Sequence, residues 1–201
     1  KGTTPTATAL ALGSTETCLV TTGTPRLSAD YGTDCSSFAM KATVDGGAGA
    51  NTLQITGNAV TLANADVVKI TNVQTLTLGT GATGTTLTTN GLGITSIVTG
   101  VGATTIASDT TARTINAAAI TNGVALALSG SSNLIVTGLI GDITTGGTGT
   151  MTVTTADNAN DNTISITTGS GNTSITGTTG ATVDVITVVG AALGAGSTLT
   201  L

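Results

Sequence analysis

From residue 46 to residue 201 one pattern recurs: short runs in which aliphatic side chains alternate with threonine, each run closed by glycine or asparagine. Thr52-Leu53-Gln54-Ile55-Thr56, Gln74-Thr75-Leu76-Thr77-Leu78 and Thr163-Ile164-Ser165-Ile166-Thr167 are clear cases, and residues 67–71, 94–98, 124–128, 133–137, 151–154 and 183–188 follow the same rule. Period-two alternation with β-branched residues is the signature of a strand with one buried face. Aliphatics then point inward and threonines outward. Glycine and asparagine supply the positive φ that tight turns need. Helix has little support, because Thr, Gly and Asn are weak helix formers. The best helical candidate is 109–120, with Ala117-Ala118-Ala119, where a strand or a coil corner competes equally.

The fold class is therefore all-β. Two architectures bury such strands. A sandwich of the immunoglobulin type normally contains a buried Trp and a tyrosine corner. Residues 46–201 contain no aromatic residue. A parallel β-solenoid (β-helix) stacks similar layers and fills its core with Ala, Val, Ile, Leu and Thr, so it is favoured over a β-sandwich or jelly-roll. Rungs about 4.8 Å apart and coils of roughly 20 residues give about eight layers. Two echoes support repetition: Asn51–Thr56 matches Asn162–Thr167, and Asn162-Thr163 returns ten residues later as Asn172-Thr173. No strict consensus spans the region, as degenerate solenoids allow.

Residues 1–45 differ. They hold both cysteines, both prolines, Tyr31, Phe38 and the single glutamate. They read as a small N-terminal cap or docking segment, ahead of a Thr/Gly-rich β-repeat domain over 46–201. Cys18 and Cys35 are the candidate disulfide of the cap. A bridge closing that loop contributes about 3 kcal/mol in the chain-entropy model, and it implies an extracytoplasmic setting. The chain begins at Lys1, which reads as a processed form or a piece of a longer protein.

Charge restricts function. Only 7% of residues are charged and the net charge is −5, against about 25% in an ordinary domain. Five scattered basic residues provide no footprint for phosphates, so nucleic acid is excluded as a partner. No apolar run approaches the roughly 18 residues of a spanning helix, so no membrane span is expected. With no histidine, the Ser-His-Asp and Cys-His arrangements are impossible. Asp66, Asp109, Asp142 and Asp184 each stand alone in sequence and read as solvated turn or strand-edge positions. The chain reads as a non-enzyme. A surface this poor in charge needs covering, and copies of the chain or neighbouring domains of a longer surface protein are the expected partners. Ser197, Thr198, Leu199, Thr200 and Leu201 form a strand pattern without a polar cap and are the expected contact.

The segment Gly46-Gly47-Ala48-Gly49-Ala50-Asn51-Thr52-Leu53-Gln54 resembles the nonapeptide of RTX-type β-rolls, G-G-x-G-x-D-x-U-x. The Thr-rich runs after it resemble repetitive regions of S-layer proteins and adhesin shafts. The resemblance implies a secreted or cell-surface bacterial β-protein, with calcium as the usual ligand. Asn51 stands where that family places its calcium-binding Asp, and no tandem copy follows. A second candidate calcium loop comprises Asp157, Asn158, Asn160 and Asp161, whose oxygens suit a hard cation; an Asx-rich turn is the competing reading. Asn172-Thr173-Ser174 is a glycosylation sequon.

The expected function is a structural subunit of an extracellular filament, matrix fibre or surface layer, joined through β-strand contacts. The alternative is a surface-binding module, an adhesin or ice-binding β-solenoid. Thr75-Leu76-Thr77, Thr86-Leu87-Thr88, Thr150-Met151-Thr152, Thr152-Val153-Thr154 and Thr198-Leu199-Thr200 give it Thr-x-Thr elements, but their spacing in sequence is irregular.

Overall fold

The computed structural model describes residues 44–56, 61–63, 70–78, 84–89, 93–157, 163–178, 180 and 185–201, with the backbone of short strands at 8–11, 21–22 and 24–25. It is an all-β parallel solenoid with no helix among the described residues. A nine-stranded sheet runs in the order β1 (Thr8–Ala11), β5 (Thr52–Thr56), β8 (Thr75–Leu78), β10 (Ser96–Val98), β12 (Arg113–Asn116), β14 (Leu134–Leu139), β16 (Met151–Thr155), β18 (Thr173–Thr176), β20 (Leu199–Thr200). A seven-stranded sheet runs in the order β19 (Val185–Val189), β17 (Thr163–Thr167), β15 (Asp142–Thr145), β13 (Ala125–Gly130), β11 (Thr104–Ser108), β9 (Thr85–Thr88), β6 (Thr61–Leu62). Two short pairs complete the set: β2 (Thr21–Thr22) with β3 (Thr24–Pro25), and β4 (Val44–Asp45) with β7 (Ile70–Thr71).

From β8 on, the chain alternates between the two sheets, so each coil gives one strand to each. In the first sheet Thr52, Thr75, Ser96, Thr114, Ile135, Thr152, Ser174 and Thr200 partner one another in turn. The steps along the chain range from 17 to 26 residues. Along this row register is kept while corner length varies, which is why no strict consensus appears in sequence. The echo between Asn51–Thr56 and Asn162–Thr167 joins non-equivalent places: β5 belongs to the first sheet and β17 to the second. The ten-residue step from Thr163 to Thr173 is a half-coil from one sheet to the other.

Parallel sheets usually read as continuous apolar runs because both faces are covered. Among the described residues only the inner face is covered, and alternation survives. Leu53, Leu76, Ile97, Ile115, Val136, Val153 and Ile175 form one unbroken inward column. Leu62, Leu87, Ile106 and Leu128 form its counterpart in the second sheet. Both columns belong to one buried core. Each such side chain stabilises the fold by about 1.5–3 kcal/mol on full burial.

Threonine is not confined to the outer face. Thr89, Thr99 and Thr104 are buried. Their hydroxyls donate to the carbonyls of Ala107, Asn116 and Gly102. A threonine fills nearly the volume of valine, and a carbonyl within reach removes the cost of burying its hydroxyl. Residues 109–120 contain β12 and a corner rather than a helix, since Arg113 and Ile115 continue the inward columns of the sheet.

Candidate functional site

The outer face of the first sheet is the most regular feature of the surface. One row comprises Thr52, Thr75, Ser96, Thr114, Ile135, Thr152, Ser174 and Thr200, in register throughout. A second row begins Gln54, Thr77, Val98, Asn116 and Thr137. A bulge between Val136 and Leu139 interrupts it before Thr154 and Thr176. The Thr-x-Thr elements at 75–77 and 152–154 therefore lie on one face, despite their irregular spacing in sequence. Thr86-Leu87-Thr88 lies on the other sheet. Ile135, 48% exposed, is the apolar break in the first row. Neither row contains a charged residue.

The last rung is built differently. Ser197 donates its hydroxyl to Ser170 O at 2.7 Å, and Thr198 N–H donates to Asn172 Oδ1 at 3.0 Å. Leu199 and Thr200 pair with Thr173 and Ser174. The expected contact segment is thus a docked strand, β20, at one edge of the first sheet, while β19 forms the corresponding edge of the second. Ile186, Val188 and Leu199 are only partly buried against the core. Val185 and Val189 are 55% and 44% exposed, and Leu201 81%.

Asn172 is exposed at a corner, with its amide oxygen engaged by the next rung. Asn133 uses the same device on Thr150 N–H. Of the second candidate calcium loop, Asp157 is described and exposed. Asn158, Asn160 and Asp161 lie outside the described residues, as do Cys18, Cys35, Tyr31 and Phe38. No three Asp, Glu, Cys or His side chains come together among the described residues.

Sequence reasoning missed Arg113. Its side chain points inward and is completely buried. The guanidinium donates to Ile94 O at 3.0 Å, Thr89 O at 2.8 Å, Thr111 O at 2.9 Å and Asp109 Oδ1 at 2.9 Å. Asp109, partly exposed at the bend before β12, is therefore an ion-pair partner as well as a turn residue. The spacing of four was visible, but outside a helix it carries no directional meaning. Asp142 also has a structural task, accepting Ser165 N–H from the next rung at 2.8 Å. A groove beside Ile135 is lined by Thr95, Ser96, Thr114 and Asn133, next to Arg113, whose charged end is turned into the core. Among the described residues no helix is long and apolar enough to cross a membrane.

The chain matches no protein-family model. Comparisons with curated proteins and with solved structures likewise give no match.

Proposed function

We propose that this chain is a non-catalytic structural segment of a secreted or cell-surface assembly, a filament, matrix fibre or surface layer. One observation carries the reading. In the strands from β5 to β20, Asp142 is the single outward-facing charged side chain, because Arg113 points into the core. Two faces with almost no charge are suited to being covered by protein, since charge is what keeps a free surface hydrated. The partner is a second copy or a neighbouring domain. The joint is strand addition at β19 and β20, whose outer edges offer backbone N–H and C=O groups to a further strand. Head-to-tail joining that does not close generates a filament. Electron microscopy of the purified chain tests this: rods longer than one molecule support it, and dispersed particles at high concentration refute it.

The in-register hydroxyl rows favour a second reading, a surface-binding module that presents the first sheet to ice. Repeated hydroxyls and methyls on a rigid, uncharged lattice suit a neutral, ordered, hydrogen-bonding surface. Thermal hysteresis with faceted ice crystals supports it; unaltered ice growth refutes it.

A further inference from the structure

The glycine-rich loop after β4 closes around an amide. The Asn51 side-chain nitrogen donates to Gly47 O and Gly49 O, each at 3.2 Å, and to Asn72 O at 2.9 Å. An amide NH2 has two hydrogens, so three carbonyls share them. Only the nitrogen suits this place, because the amide oxygen would face three other oxygens. Asn72 comes from the next rung and holds a left-handed backbone, φ 55°. Its own side chain donates to Asp45 Oδ1 at 2.7 Å, which also accepts Gly47 N–H at 2.9 Å. Asn51 N–H is taken by Gln74 Oε1 at 2.7 Å. The loop is tight: a Cβ on Gly46 would overlap the Asn72 carbonyl and the Asn51 side chain.

In the RTX-type nonapeptide that this segment resembles, position 51 belongs to a calcium-binding carboxylate. Calcium requires six to eight oxygen ligands. Here the position presents N–H donors to the surrounding carbonyls, and donors of positive partial charge oppose a cation. The residues do not fit the ion. We infer that the Asn51 amide is the built-in substitute for that cation, gathering the three carbonyls so that this rung keeps its shape without calcium. The inference stands apart from the proposed assembly role.

The test is nitrogen-edited NMR of the whole chain, in chelator and then with calcium chloride. The Asn51 side-chain amide and the Gly47 backbone amide are expected to stay in place; calcium-dependent movement of these resonances would overturn the inference. The variant Asn51→Asp replaces the donor with a carboxylate facing three carbonyls. Its thermal midpoint is expected to fall by about 2–4 °C in chelator and to recover with calcium. A variant as stable in chelator as the parent, or a loss that calcium does not restore, contradicts the equivalence of amide and cation. If the variant does not fold, the parent titration decides alone.

Discussion

The middle of the solenoid and its last rung follow the same alternation with opposite results. Around β12 and β13 the inward side chains Ile115, Leu126 and Leu128 are almost wholly buried, with a rung on either side. In β19 and β20 the corresponding Ile186, Val188 and Leu199 stay partly open. The difference lies in neighbours, not composition. Among the described residues no further strand lies on β19 or β20, so burial at this end is a property of the stack rather than of the strand.

The middle can be broken most severely at Arg113. Arg113→Ala removes the buried half of its ion pair with the partly exposed Asp109 and strands the carbonyls of Thr89, Ile94 and Thr111. A loss of about 3–5 kcal/mol is expected, read as a lower denaturant midpoint. A loss below 1 kcal/mol would mean that the guanidinium ties nothing together. Gly130 comes next. It holds φ 104°, and an added Cβ would overlap the Ser108 carbonyl of the rung below. The left-handed backbone alone costs a non-glycine residue about 1–2 kcal/mol, so Gly130→Ala should cost at least that in equilibrium unfolding.

The last rung should respond differently. Val189→Lys and Thr200→Lys place charge on the two edge strands, a device that blocks edge-to-edge pairing. Chain stability should change by less than about 0.5 kcal/mol, while sedimentation shows shorter assemblies. Unchanged assembly would move the joint elsewhere. The smallest effect concerns Asp45, at the polar rim of the first repeat. The Asn72 side chain, and then Gly47 N–H, hold its carboxyl below the usual range. Its contribution is therefore complete above the ordinary carboxylate range and is lost as pH falls through the lowered value. A small drop in thermal midpoint in acid should vanish in Asp45→Asn.

The fold was legible because alternation and the lack of aromatics both act at the level of the strand. Strands β5 and β17 were read to the residue, since each is a clean alternating run. Strands β11, β15 and β18 do not stand out in the sequence, and β12 lies inside the ambiguous segment 109–120. Thr104, Arg113, Thr145 and Thr173 face inward there, so their polar side chains disguise the pattern. The hydroxyl rows were hidden for another reason: corners of unequal length scatter in sequence what register aligns in space. The three-carbonyl cage at Asn51 was invisible because one of its members, Asn72 O, comes from the next rung.

Amide hydrogen exchange, followed strand by strand as concentration rises, tests the assembly claim most directly. Amides of β19 and β20 should gain protection with concentration, while those of β12 and β13 stay protected throughout. Exchange at β19 and β20 that remains fast and independent of concentration would contradict joining through these edges.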